Sequence, residues 1–333
     1  MRAVLIERPG KVAVTSVADP TPGDRQVVVE VAAVGICGTD LHIFDGDFEP
    51  TPYPIIPGHE FAGTVVAVGP GVTEIAEGDR VAVDPSLFCG ECHYCKIGRG
   101  NLCERWGAIG VTSSGGCAEY AVAPVANCYR LPDHVPLEHA ALIEPLSCAV
   151  HGYDLLPSRL GEHYLIYGAG TMGLLMAQLA GRAGAASVSV VDLDEARLNT
   201  AAKLGADAIG TSADVFDRPD GWEVVVDCTG AVAVIEDAIG RVRRGGTFQV
   251  FGVAAAEATA RFSPFRVYKD EITIVGSMAV LHSFDRAVEL MAQGAVDAAT
   301  MISHSYSLDD YSTALTAFRD RVGRKLQVRP ATP

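Results

Sequence analysis

The sequence predicts an α/β plus β protein, with an antiparallel β-barrel or sandwich up to about Pro145 and a buried parallel sheet with helices after it. Two rhythms carry that prediction. In the first part, short β-branched runs are punctuated by Pro, Gly and Asp, the pattern of antiparallel strands joined by turns. From Tyr164 onward, apolar strand runs alternate with helical stretches, which calls for βαβ units around a parallel sheet. The chain has 333 residues, 49% hydrophobic and only 7% aromatic, with 35 glycines. That is enough for two domains, in the composition range of α/β enzymes with tight turns.

In chain order, the first part offers strands at residues 4–6, 12–14, 26–34, 61–68, 80–83 and 118–123. The second offers strands at 164–167, 188–191, 223–226, 247–251 and 272–275, with helices at 174–183 and 195–204. Beyond Gly276 the pattern gives helices at 284–292 and 309–319 and a terminal strand at 326–328. The change of rhythm places a domain boundary near residues 146–156. No internal repeat or low-complexity tract interrupts the chain.

Charge excludes several partners. A formal net charge of −15 leaves no basic surface for nucleic acid or for an anionic membrane. No apolar run reaches the length of a membrane span, and the N-terminal MRAVLIERPGKVAV is a strand pattern broken by charge and Pro9-Gly10, not a signal peptide. Nine cysteines without secretory features point to a reducing cytoplasm. Among them, Cys117, Cys128, Cys148 and Cys228 have no ligand spacing and read as ordinary thiols.

The other five are informative. Cys89, Cys92, Cys95 and Cys103 follow the spacing C-x₂-C-x₂-C-x₇-C, with Gly90, Gly98, Gly100 and Asn101 between them. Four thiolates this close close a tetrahedral Zn²⁺ shell with no position left for substrate, so the site is structural. Two disulfides, weakened by the reducing context, or a chance clustering of cysteines are the alternatives.

Gly168-Ala169-Gly170-Thr171-Met172-Gly173 stands between a predicted strand and a predicted helix. Gly168 permits the tight turn, Gly170 lets the backbone approach a pyrophosphate, and Gly173 allows close helix–strand packing. A glycine-rich turn of any α/β protein is the plain alternative. Asp192 adds context, since it ends the next strand nineteen residues after Gly173, where a carboxylate binds ribose hydroxyls and repels a 2′-phosphate. NAD is therefore expected over NADP. A helix N-cap is the other reading of Asp192.

Cys37 and His42, in Gly35-Ile36-Cys37-Gly38-Thr39-Asp40-Leu41-His42, follow a strand, and Gly58-His59-Glu60 precedes another. Thiolate, imidazole and carboxylate from separate loops make a mixed zinc site with room for an exogenous ligand. A buried thiol and a satisfied core histidine remain the alternative. Glu144 is an acid in the apolar segment Ile143-Glu144-Pro145-Leu146, and such a carboxylate usually has a cationic partner; zinc would serve.

Gly58-His59-Glu60, followed at fixed spacing by Gly63, Gly69 and Val72, resembles the signature of zinc-containing alcohol dehydrogenases of the medium-chain dehydrogenase/reductase family. The four-cysteine loop, the dinucleotide turn and their order agree, so the resemblance spans nearly the whole chain. Cys37-Gly38-Thr39-Asp40 and Glu144-Pro145-Leu146 most resemble the polyol (sorbitol, arabinitol) and L-threonine dehydrogenase branch. The resemblance implies a chaperonin-10-like catalytic domain over 1–147 and 281–333, and a doubly wound NAD-binding Rossmann domain over 148–280. It implies two Zn²⁺ per chain, with Cys37, His59 and Glu60 as catalytic ligands and Glu144 as a ligand or a nearby carboxylate exchanging with water. Thr39 and His42 match proton-relay positions, although a turn hydroxyl and a solvated surface ring would look the same. Met172, Asp192 and Arg197 match cofactor-contacting positions, and Phe251-Gly252-Val253 and Ser277-Met278-Ala279 match segments near the nicotinamide. A homodimer or homotetramer is implied, with edge pairing of the strand at 272–275.

The function expected from this is a zinc-dependent, NAD-linked oxidation of a small-molecule polyol to a ketose. Sorbitol dehydrogenases carry an arginine near Met278 that this chain lacks, which counts against sorbitol itself and leaves a related pentitol or hexitol open. L-threonine dehydrogenase is the alternative within the family. A non-catalytic nucleotide-binding zinc protein is the alternative of another class, opposed by the presence together of Cys37, His59, Glu60 and Glu144.

Overall fold

In the computed structural model, which describes residues 1–48, 50–157 and 159–330, the chain divides into two compact units. The first comprises Met1–Ser147, Val280–Gly294 and Ala298–Pro333; the second comprises Cys148–Ala279 with Ala295–Asp297.

The first unit is built on the strand Gln26–Gly35, whose valines alternate into the core: Val27, Val29, Val31 and Val34 are buried. One edge pairs antiparallel with Glu60–Val68, which continues to Arg80–Val83 and Cys128–Arg130. The other edge is shared. Its first half pairs with Tyr120–Pro124 and its last residues with Lys325–Val328, which in turn carries Ile302–Tyr306 in parallel. Register shifts between Val28 and Val29 and between Val31 and Ala33 mark bulges, which bend a strand and increase its twist. The terminal segment thus supplies a structural strand to the sheet. A separate hairpin, Arg2–Arg8 with Lys11–Ser16, turns at Gly10. The strand expected at 118–123 lies at Tyr120–Pro124, and Ala118 makes only a single bridge to Ala3.

The second unit is a six-stranded parallel sheet in the spatial order Ala208–Gly210, Ser187–Val191, His163–Tyr167, Trp222–Asp227, Val242–Val250, Thr273–Gly276. Numbered by chain order this is 3-2-1-4-5-6, the doubly wound arrangement in which the winding reverses between the first and fourth strands. Helices Thr171–Arg182, Glu195–Lys203 and Val232–Arg241 make the crossovers. The inner strands are apolar on both faces, with Leu165, Ile166, Val224, Val225 and Val226 buried, because helices cover a parallel sheet twice. Tyr167 lies opposite Val191 and Asp227, Asp227 opposite Val250, and Val250 opposite Gly276. The carboxyl ends of five strands therefore finish at one level, where ligands of open α/β sheets bind. Among the described residues no helix is long and apolar enough to cross a membrane.

Candidate active site and metal centres

The four-cysteine loop folds onto itself. Cys89, Cys92, Cys95 and Cys103 place their sulfurs within 4.8 Å of one another, and the Cys89–Cys95 and Cys92–Cys103 pairs are 3.9 Å apart. Tetrahedral Zn–S bonds of about 2.3 Å set sulfurs about 3.8 Å apart, so the spacing fits zinc. No disulfide joins any of the nine cysteines. Backbone N–H groups already serve the sulfurs: Cys92 donates to Cys89 at 3.3 Å, and Arg105 to Cys103 at 3.3 Å. The N–H groups of Glu91 and Cys92 bring the Cys89 thiol down to about 6, whereas desolvation pushes Cys95 up to about 12; a bound metal would hold all four as thiolates.

A second cluster joins three separate segments. Cys37 follows the strand Gln26–Gly35 and caps the helix Gly38–Asp45. Asp40, in the first turn, accepts the Cys37 N–H through Oδ2 at 2.8 Å, the reciprocal contact of a capping box. His59 precedes and Glu60 opens the strand Glu60–Val68, and one donor atom each from Cys37, His59 and Glu60 lies within 4.8 Å of the others. His59 is 7% exposed, and its buried Nδ1 has no hydrogen-bond partner among the described groups. Burial, with Glu60 adding to it, pushes the Cys37 thiol up to about 12. A half-buried thiol, an unsatisfied imidazole nitrogen and a carboxylate make a mixed sulfur, nitrogen and oxygen donor set. It fits zinc.

Glu144 lies in the first turn of the helix Ile143–Asp154 at 8% exposure and stands outside that three-atom cluster. Burial raises its carboxyl to about 8, with Glu60 and Cys37 adding and His59 opposing, so it shares the electrostatic environment of the cluster. The Thr39 hydroxyl is 3.9 Å from the Cys37 sulfur, and His42 is exposed further along the same helix.

In the second unit, Gly168 takes the left-handed region at φ 96° and Gly170 caps the helix Thr171–Arg182, with Met172 half-buried in its first turn. A Cβ on Gly173 would overlap the carbonyl of Gly168, so the helix approaches the strand that closely only through glycine. Asp192 accepts the Ala169 N–H through Oδ2 at 2.6 Å and the Asp194 N–H through Oδ1 at 2.9 Å. The cap of the following helix is Asp194, bonded to Ala196 and Arg197. Asp192 is therefore bound to the turn and does not cap the helix. The Arg197 guanidinium comes within 4.0 Å of the space a Cβ on Gly170 would fill. Phe251 and Gly252 donate to the Asp227 carbonyl, leaving Val253 exposed, and Ser277 donates to Val250 at 3.2 Å. Met278 is partly exposed and Ala279 has φ 50°. All six residues leave the carboxyl ends of adjacent strands.

Residues 23–133 match the alcohol dehydrogenase GroES-like domain, and residues 171–293 match the zinc-binding dehydrogenase domain. D-arabinitol dehydrogenase 1 of Uromyces fabae is 37% identical over 99% of this chain and 97% of its own. D-altritol 5-dehydrogenase of Agrobacterium fabrum is 35% identical, over 93% and 90%. The chain belongs to the zinc-binding alcohol dehydrogenase family. A Sinorhizobium meliloti protein assigned as a zinc-binding dehydrogenase, with a solved structure bound to NADP, superposes on this dehydrogenase with a TM-score of 0.95 at 34% identity, covering 99% of both chains.

Two groups beside the dehydrogenase's Cys37 cluster were not among the site residues expected from the sequence. Asp40 is fully buried, with Oδ1 unpartnered among the described groups, and burial raises its carboxyl above the usual range. Lys325 is buried and ion-paired to Glu60. The first lies inside a quoted motif, where a buried acid at N3 was the available signal. The second had none, because only the sheet brings residue 325 to residue 60.

Proposed function

We propose that this dehydrogenase oxidises a secondary alcohol of a pentitol- or hexitol-type polyol to the ketose, using NAD⁺. The observation that carries the reading is the meeting of half-buried Cys37 with buried His59 and Glu60, with an imidazole nitrogen left unsatisfied. Zinc at that site would supply a Lewis acid that lowers the hydroxyl pKa of the substrate, and NAD⁺ would supply the hydride acceptor. Cys37 and His59 would hold the metal with Glu60 or Glu144, and the four-cysteine loop would hold a second, structural zinc. Thr39 would accept the alcohol proton as it gives up its own towards His42, exposed on the same helix, and so to solvent. Gly168, Gly170 and Gly173 seat the pyrophosphate, Met172 and Arg197 flank it, and Asp192 takes the ribose. The segments at 251–253 and 277–279 border the nicotinamide. Asp192 and Asp194 oppose a 2′-phosphate, which favours NAD over NADP.

The first unit then serves as the catalytic domain and the second as the cofactor domain. The edge strand Thr273–Gly276, with Ile274 exposed and Phe265 and Tyr268 exposed on the preceding helix, supports a homodimer or homotetramer paired along that edge. Nine free thiols suit the cytoplasm.

The test is NADH formation with pentitols, hexitols, cyclitols, L-threonine and simple secondary alcohols, with EDTA-treated enzyme as control. A polyol is expected to lead, and His59→Ala to lose turnover and one metal while NAD still binds. Turnover retained in a metal-analysed His59→Ala protein overturns the reading; preference for L-threonine replaces the substrate and keeps the chemistry.

A further inference from the structure

Lys325 is the one lysine or arginine counted as buried among the described residues, at 3% exposure, and it opens the last strand of the chain. Its Nζ donates to Oε2 of Glu60, itself 2% exposed, and to the carbonyl oxygen of Ile36 at 3.0 Å. The sheet register explains how it gets there. Gly35 lies opposite Glu60 on one neighbouring strand and opposite Gln327 on the other. The lysine side chain crosses over Gly35, where a Cβ would lie 2.7 Å from Lys325 Cε, 2.9 Å from Nζ and closer still to Glu60 Oε2. The missing side chain at Gly35 is the space in which this pair forms.

Glu60 is also a member of the Cys37–His59–Glu60 cluster. One carboxylate therefore faces two cations: the ammonium of Lys325 and, on the reading above, the metal. An ammonium offers only donors, and this one is anchored by the Ile36 carbonyl. Removing it would leave Glu60 a buried anion whose remaining partner is the metal, and an unpaired buried charge is strongly disfavoured.

We propose that Lys325 is a positioning residue that competes with the catalytic metal for the Glu60 carboxylate, keeping it an exchangeable ligand so that a coordination position stays open to substrate. Gly35 is part of the device. The inference rests on the metal reading of the Cys37 cluster and goes beyond it.

The experiment uses full-length holoenzyme with cobalt(II) at the Cys37 site and zinc retained at the four-cysteine site. Visible absorption and the rate of cobalt release to a chelator are read for wild type, Lys325→Met, Glu60→Gln and the double variant. Lys325→Met is expected to shift the cobalt bands and slow release by about tenfold, the lower end of what groups around a metal shell control. The double variant is expected to behave as Glu60→Gln alone. A Lys325→Met protein with wild-type spectrum and release rate overturns the proposal, and so does a Lys325→Met shift that persists in the double variant. If Lys325→Met fails to fold, Gly35→Ala crowds the pair and keeps both charges; it is expected to shift the bands, and unshifted bands in a folded Gly35→Ala protein overturn the proposal. Failure of the underlying metal reading looks different: the metal content of His59→Ala would equal that of wild type.

Discussion

Asp192 closes the glycine turn that precedes it in the chain, its Oδ2 accepting the Ala169 N–H at 2.6 Å. The acid that faces the cofactor ribose in the proposed function thus also holds the pyrophosphate turn in shape. Asp192→Asn keeps the size and an acceptor oxygen but removes the charge. A single charge facing a doubly charged phosphate about 5 Å away in water-like surroundings costs about 1.7 kcal/mol. The NADP-to-NAD ratio of kcat/KM is therefore expected to rise by about tenfold or more. Initial rates with both cofactors check this, and an unchanged ratio would remove Asp192 from cofactor choice.

Gly173→Ala tests the close approach of helix and strand. The added Cβ meets the Gly168 carbonyl, and the helix Thr171–Arg182 has to move outward. A destabilisation of about 1–3 kcal/mol is expected from such overpacking, with a raised KM for NAD. Gly181, in the same helix, has nothing within 4 Å of its Cβ position. Gly181→Ala is the control, expected to stabilise by up to about 1 kcal/mol. Equal effects of the two in denaturant titrations would argue against the packing account.

Cys92→Ser removes one sulfur from the four-cysteine shell. A structural metal contributes folding energy, so the metal content should fall by one per chain. A loss of several kcal/mol corresponds to a Tm drop of about 10 °C or more, at roughly 2–4 °C per kcal/mol. Metal analysis and calorimetry decide; an unaltered melting curve contradicts a structural role.

Tyr167 donates its hydroxyl to Asp237, and burial together with that carboxylate raises the phenol well above its usual 10.0. The folded state favours the neutral phenol. Its contribution is complete below pH 10 and is lost as pH rises further, because the unfolded chain's tyrosine ionises first. Tyr167→Phe is expected to cost about 1 kcal/mol at neutral pH and to make the alkaline decline of Tm less steep. Parallel alkaline declines in the two proteins would contradict it.

The sequence made the parts visible whose physics is local. The C-x₂-C spacing, the glycine turn and the switch from alternating to continuous apolar strands are each read over short stretches; the structure gathers the four sulfurs within 4.8 Å and puts the glycine turn between a strand and a helix. The strand Ile302–Tyr306, ISHSY, was invisible because it is mostly polar and half-exposed, and a strand without an apolar stripe has no period to read. The helix Val232–Arg241 starts at Ala231 without a capping side chain, so no boundary marked it. Lys325 is the clearest case. A lysine opening a short terminal strand reads as a solvent-facing edge, and its partner is 265 residues away. Pairing with Gln26–Gly35 buries it, and tertiary structure alone specifies that pairing.

The strand Lys325–Val328 finishes the sheet begun by Gln26–Gly35, and this constrains the nascent protein. A ribosome must deliver Lys325, 265 residues after Glu60, before the older half can close, whereas the segment 148–279 carries all six strands of its own sheet and can fold earlier. Translation therefore leaves Cys37, His59 and Glu60 waiting without their lysine, in the interval when a chaperone or a stray metal ion would find them most accessible.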